Sequence, residues 1–303
     1  MSILARQVTK LYGKQKALNN VSFSIKAGEI VGFLGPNGAG KSTMMKILTC
    51  FIPPSYGEAQ VCGFDVQEEF RQVKKRVGYL PETNPLYLDM YVKEYLDFIA
   101  GIHRLGPNRK KRIAEMIEIT GLAIEQNKKI GQLSKGYRQR IGLAGALMHN
   151  PEVLILDEPT SGLDPNQLED IRSLIRNIGK EKTVMLSTHI MQEVEAVCNR
   201  VIIIDKGSIV ADDSVLKLAG SSSDEMIISV EFDKNIDQKL LKQISGVLDV
   251  SAGENNAFLL KAQTGKDIRP EIFRFAVENG ASVLSMQKEQ QRLEKVFQML
   301  TKK

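Results

Sequence analysis

One eight-residue segment constrains this chain more than any other: Gly35-Pro36-Asn37-Gly38-Ala39-Gly40-Lys41-Ser42, with Thr43 next. It fits the pattern G-x-x-x-x-G-K-[ST]. It stands between the apolar run IVGFL (30–34) and a helix-forming stretch, KSTMMKILT, that opens at Gly40. The glycines let the backbone wrap tightly enough for successive N–H groups to point at one anion. The helix that follows adds the positive end of its dipole. Lys41 is placed to neutralise the β and γ oxygens of a nucleotide, and the Ser42 hydroxyl to coordinate Mg²⁺. Gly35, Asn37, Gly38, Gly40, Lys41, Ser42 and Thr43 are therefore the phosphate-binding candidates.

The rest of the first 220 residues supplies the sheet that such a loop needs. VSFSI (21–25) alternates, and the first 35 residues read as strands. PPSYGEAQV reads as a turn into a short strand, and VGYL (77–80) as another, ended by Pro81. From about residue 86 to 149 the pattern is helical, with the last of these helices opening near Ser134. VLILD (153–157) and TVMLST (183–188) are continuous apolar runs, alternating with helical patterns at 165–178 and 190–198. Strands that are apolar on both faces and alternate with helices imply a parallel sheet in an α/β core. VLIL ends in Asp157 and Glu158. Ligands of open α/β sheets gather at that edge. There Asp157 can hold Mg²⁺ through water, and Glu158 can accept a proton from an attacking water.

Composition excludes several classes. With 303 residues there is room for two domains, and 43% hydrophobic with 25% charged residues argues against wholesale disorder. The 41 basic and 36 acidic residues leave a net charge of +5, too mild to demand nucleic acid. No tryptophan is present and aromatics are 6%, so a base-stacking surface is not favoured. Cys50, Cys62 and Cys198 make no C-x-x-C pair and read as buried small apolar residues in a reducing compartment. MSILARQVTK shows no secretory leader, and no apolar run approaches the ~18–20 residues that span a bilayer. A soluble chain is expected, held at any membrane by a partner.

Residues 219–225 (AGSSSDE) read as a linker, and 226–303 as a small accessory domain. Its order is strand MIISVEF, helix KLLKQI, strands LDV and AFLLKA, helix RPEIFRFAVENG, strand ASVLSM and a last helix through EKVFQML. That β-α-β-β-α-β order predicts a ferredoxin-like α+β arrangement.

Four further segments carry a resemblance. Leu133-Ser134-Lys135-Gly136-Tyr137-Arg138-Gln139-Arg140, 23 residues before Asp157 counted from Ser134, resembles the signature motif of ABC-type ATPases. Pro159-Thr160-Ser161-Gly162-Leu163-Asp164 resembles that family's D-loop. Ser187-Thr188-His189, with His189 placed 31 residues after Glu158, resembles its switch histidine. Tyr12 in LYGKQKAL resembles the aromatic residue that stacks on adenine. The match covers residues 1–218 firmly. SKGYRQR, a single nucleotide domain and the terminal LEKVFQMLT resemble the ABC-2 branch of exporters and drug-resistance proteins. NPLYLDMYVKEYL, KKIGQLSKGYRQRIGLAGAL, EPTSGLDPNQL and STHIMQEVEAVCNRVIII most resemble the ATP-binding subunit of gliding-motility-associated ABC transporters.

The resemblance implies a P-loop ABC ATPase with a RecA-like core, an antiparallel β edge and a helical subdomain at about 84–149. The nucleotide-binding domain would span 1–220 and the accessory domain 226–303. It implies ATP and Mg²⁺ as cofactors, with Glu158 and His189 catalytic and Ser42, Glu82 and Asp157 at the metal. Tyr12 would bind adenine. Ser134, Gly136 and Asp164 would complete the nucleotide site by head-to-tail pairing with a second copy. Separate transmembrane permease subunits are implied, placing the chain in the cytoplasm on the inner face of the cell membrane. Nucleic acid is not an expected partner: only 116 residues separate Lys41 from Asp157, without the sustained heptads of chromosome-maintenance types. A regulatory subunit that hydrolyses poorly is disfavoured by the presence of Glu158 and His189.

Two departures stand out. Where the family's Q-loop has Gln after Y-x-P, this chain has Glu82, which can ligate Mg²⁺ but cannot donate an amide hydrogen bond. In the signature, Lys135 and Tyr137 replace the usual Gly and Gln, while Ser134 and Gly136 remain. His103 and His149 read as helix-surface residues, and the basic run from Arg104 to Arg112 as a solvated face able to touch lipid headgroups.

Overall fold

The computed structural model describes residues 1–218, 225–253, 256–263, 267–289, 297 and 301. They fall into two compact units, Met1–Val215 and Leu216–Lys302.

Two sheets build the first unit. Strands β1 (Ile3–Tyr12) and β2 (Gln15–Ile25) form a hairpin. β4 (Tyr56–Val61) and the short β5 (Phe64–Asp65) extend it into an antiparallel sheet of order β2-β1-β4-β5. The second sheet contains β3 (Ile30–Leu34), β6 (Val77–Leu80), β7 (Val153–Asp157), β8 (Thr183–Thr188), β9 (Arg200–Asp205) and β10 (Ser208–Ser214). Its order is β10-β9-β3-β8-β7-β6, parallel except for the antiparallel edge strand β10. Every residue of β3, β7 and β8 is buried, as strands covered on both faces must be.

Helix α1 (Lys41–Leu48) sits in the core that the two sheets share. Met44, Met45, Ile47 and Leu48 are fully buried with Phe23 and Phe33. Eight residues are too few for a helix to stand alone in water. Burying each such side chain is worth about 1.5–3 kcal/mol, so packing holds α1 and thereby Lys41 at its first turn. Helices α2 (Phe70–Arg76), α6 (Pro165–Gly179) and α7 (Met191–Val197) flank the sheets.

The helical insertion contains α3 (Val92–Ile102), α4 (Arg109–Ile119) and α5 (Lys135–Leu147). It begins later than the sequence pattern predicts. Residues 81–91 are not helical, and Asn84 in that stretch donates to Arg138 O at 2.9 Å, tying it to α5. The basic run is not simply a solvated face. Arg112 donates to Leu147 O at 2.7 Å and Met148 O at 3.1 Å, tying α4 to the end of α5. Arg109 is bonded to Asp97 of α3.

The histidine reading is also corrected. His149 is half-buried, and the ring of His103 stacks on it with centroids 4.1 Å apart and planes 8° apart. Its Nε2 lies 3.1 Å from Val77 O and must donate, whereas the buried Nδ1 has no partner to receive a second proton. Burial first, then the neighbouring His103, pulls this imidazole from 6.5 down to about 4. The unfolded chain takes up that proton near pH 6.5, and the folded one resists until about pH 4. Stability from this group is therefore complete above pH 6.5 and is lost as pH falls towards 4. In thermal melts, the wild type should lose more Tm between neutral and mildly acidic buffer than His149→Asn does. Equal losses would remove His149 from the effect.

Of the cysteines, only Cys198 is buried. Cys50 and Cys62 are half-buried, and burial pushes both thiols up to about 11.

The second unit runs β11 (Glu225–Phe232), α8 (Gln238–Leu241), β12 (Val247–Ala252), β13 (Ala257–Gln263), α9 (Arg269–Glu278) and β14 (Val283–Glu289). Its sheet is antiparallel, in the order β12-β13-β11-β14. Val230, Phe232, Leu241, Phe258, Leu260 and Ile272 fill its core. Most of the expected linker and of the expected last helix lie outside the described residues.

Candidate nucleotide site

The loop between β3 and α1 is shaped by its glycines. A Cβ at Gly35 would lie 2.4 Å from Ile204 O, so no other residue fits against β9. Gly40 takes φ +109, and a Cβ there would lie 2.5 Å from Ala17 O. The turn therefore presses on both sheets and delivers Lys41 into a cavity of about 540 Å³. Tyr12, Asn37, Gly38, Gly40, Lys41, Ser42 and Thr43 line that cavity, as do Glu82, Glu158 and His189.

Charges inside it are paired in a chain. Lys41 is 6% exposed and donates to Gly35 O at 2.8 Å and Pro36 O at 3.3 Å. Its Nζ also lies 3.3 Å from Glu158 Oε1. The other carboxylate oxygen of Glu158 is 2.9 Å from His189 Nδ1. Glu158 takes φ +49. This left-handed conformation costs an ordinary residue about 1–2 kcal/mol. Its N–H is held in return by Ser187 Oγ at 3.0 Å. The bend turns the carboxylate out of the line of β7 towards Lys41. Strain of this kind clusters at functional sites.

Asp157 sits one residue back, 2% exposed. Its Oδ1 accepts from Ser42 Oγ at 3.1 Å and from Ser187 Oγ. An octahedral ion with Mg–O distances of 2.0–2.1 Å places neighbouring ligand oxygens about 2.9 Å apart, so this hydroxyl–carboxylate pair fits Mg²⁺. Among the described residues no cluster of three His, Cys, Asp or Glu side chains makes a self-sufficient metal cage. Such an ion would take its further ligands from water or from nucleotide phosphate oxygens. Glu82 is an exposed part of the cavity wall. Burial first, then the carboxylates of Asp157 and Glu82, pushes the phenol of Tyr79 upward. Tyr12 is 49% exposed at the tip of the β1–β2 hairpin, with Lys10 Nζ over its ring at 5.5 Å from the centroid.

Five expected residues are not part of this cavity's lining: Gly35 and Asp157, whose contacts are given above, and Ser134, Gly136 and Asp164. Ser134 is the N-cap of α5 and accepts from Tyr137 N at 3.4 Å. Gly136 is buried against Gln167 of α6, where a Cβ would lie 2.6 Å from the amide oxygen. Asp164 caps α6 and accepts from Asn166 N at 3.1 Å and Gln167 N at 2.9 Å. Lys135 reaches over Gly162, so the signature segment and the D-loop of one chain touch. Gln15, Ala17 and Ser161 belong to the cavity wall without having been expected there. Gln15 and Ala17 follow from the hairpin that carries Tyr12. Ser161 follows from its place three residues after Glu158.

The ABC transporter family model matches residues 18–161. The bacitracin transport ATP-binding protein BcrA of Bacillus licheniformis is 33% identical over 297 residues, covering 97% of this chain and 95% of that protein. This chain belongs to the ATP-binding subunits of ABC transporters. The linearmycin resistance ATP-binding protein LnrL of Bacillus subtilis strain 168 is 31% identical, covering 98% and 97% of the two chains. A dimeric ATP-binding cassette solved in a post-hydrolysis state with ADP and Pi superposes with a TM-score of 0.64 at 29% identity, covering 70% of this chain and 98% of that one. Like its relatives, the cassette is an ATPase whose hydrolysis is coupled to transport. Among its described residues no helix is long and apolar enough to cross a membrane.

Proposed function

We propose that this cassette is the motor of an export-type ABC transporter, working as a homodimer beneath separate permease subunits on the inner face of the cell membrane. The observation that carries this reading is the chain Lys41–Glu158–His189 at one cavity, with Ser42 of the same wall bonded to the buried Asp157. Relatives named for bacitracin transport, linearmycin resistance and Nod factor export favour outward transport. The gliding-motility link rests on the four sequence stretches alone. The strand order of the C-terminal unit supports its reading as a ferredoxin-like accessory domain spanning 226–303, beside an ATPase domain spanning 1–220.

The contacts support the following roles. A nucleotide phosphate is a stronger partner for Lys41 than one carboxylate shared with His189. Binding therefore takes Lys41 from Glu158 and frees the carboxylate to accept a proton from water. His189 holds the far oxygen of Glu158 and keeps it facing the cavity. Ser42 and Asp157 would hold Mg²⁺, which when bound would supply charge neutralisation to the phosphates. Tyr12 offers a stacking face to adenine. Ser134 and Gly136, at the start of α5, present a hydroxyl and helix N–H groups to the nucleotide of a second copy. Asp164, by capping α6, fixes the end of the 159–164 loop.

Glu82 gives a discriminating experiment. If its carboxylate serves the metal, Glu82→Ala should raise the Mg²⁺ concentration needed for half-maximal hydrolysis, and Glu82→Gln should restore most of it, since an amide oxygen also ligates. An unchanged Mg²⁺ titration for Glu82→Ala would leave it only a role in coupling to the permease. The export reading itself is tested by pull-down from detergent-solubilised membranes. Co-purification of membrane-spanning subunits supports it. Recovery with nucleic acid and no membrane protein would overturn it.

A further inference from the structure

We propose that Glu193 is a positioning residue that fixes the two loops carrying Glu158 and His189 to each other. The inference rests on the roles assigned to those two residues above. β7 and β8 run side by side to their ends, where Asp157 pairs with Ser187. Beyond that point the chains diverge. One turns through Glu158 towards Asp164, and the other through His189 into α7. Glu193, in the first turn of α7, spans the gap. Its Oε1 accepts from the Thr160 hydroxyl and its Oε2 from the Thr188 hydroxyl.

Each atom of this bridge has a defined task. Thr188 Oγ1 donates to Glu193 and accepts from Ile190 N at 3.1 Å, which closes the turn around His189. Thr160 is two residues after Glu158 and next to Ser161 of the cavity wall. Glu193, Thr160 and Thr188 are 2%, 5% and 0% exposed, so water does not replace a lost partner. A carboxylate in a helix's first turn is favoured by the dipole, which offsets part of the cost of burying it. The side-chain hydrogen bonds of the three run to one another and to Ile190 N, and the loop that carries Lys41 meets Thr188 through the backbone, Gly35 N donating to Thr188 O at 3.3 Å. The bridge therefore governs where the reacting groups stand and leaves nucleotide binding to Lys41 and its neighbours.

A misplacement of about 1 Å at a reacting group costs on the order of 10²-fold in rate. Glu193→Ala should lower kcat about 10–100-fold while KM for ATP stays within about threefold. Glu193→Gln can keep both bonds, because Thr188 still donates to the amide oxygen and Thr160 turns to accept from the amide nitrogen. It should retain kcat within about threefold. Thr160→Val and Thr188→Val, near-isosteric, should each lower kcat at unchanged KM, and they carry the test if the alanine variant does not fold. Wild-type kcat in the folded Ala or Val variants would overturn the proposal. So would a Gln variant as slow as the Ala variant, because charge and not placement would then matter. Glu158→Gln, assayed alongside, separates the two levels: normal turnover there would remove the assigned roles, whereas a dead Glu158→Gln with normal Glu193 variants would remove only the bridge.

Discussion

Glu158→Gln should lower the rate of ATP hydrolysis about 10²–10⁴-fold, the range that a positioned general base contributes. The amide keeps the shape of the side chain and can still meet His189, but it cannot take a proton from water. Binding should survive and strengthen. Glu158 stands 3.3 Å from Lys41 in a buried site and competes with phosphate for it, and the amide competes less. Single-turnover hydrolysis and nucleotide titration on the same sample measure both effects. Fast hydrolysis would remove Glu158 from the base role, and weakened ATP binding would contradict the competition.

The phosphate loop was legible because its chemistry limits the residues. The positive φ at Gly40 and the close approach at Gly35 admit nothing larger, so the glycines, followed by Lys41 and Ser42 and set between a strand and a helix, located it. β3, β7 and β8 were legible because strands buried on both faces cannot carry polar residues along their length. The acids at the end of β7 then fell where an open sheet binds its ligand. Long-range pairings left no local signal. Arg112 reads as one charge among several in a basic run, and only the fold brings the end of α5 to it. His103 and His149 lie 46 positions apart, and each alone has the pattern of a surface residue. Glu193 was visible only as an acid on the helix face shared with Val194 and Val197, a face that should be apolar. Residues 86–91 were drawn into the helical pattern because the turn residue Asp89 is interleaved with Leu and Tyr.

The position of Ser134 leads to the second large effect. It lies outside the cavity that holds Lys41 and caps a helix of the same unit. If its hydroxyl serves a nucleotide, that nucleotide belongs to another copy. Lys41→Ala removes the phosphate cation from a chain's own site, and Ser134→Arg blocks the site of its neighbour. Each variant alone places a defect in both sites of its dimer and should be inactive.

Mixing the two variants measures the composite site most directly. A mixed dimer holds one site with both defects and one with neither. At equal mixing about half the dimers are mixed, so about a quarter of all sites are intact. ATPase activity should therefore return towards about a quarter of the wild-type value. A mixture that co-elutes as one dimer yet stays as inactive as either variant alone would contradict the head-to-tail ATPase.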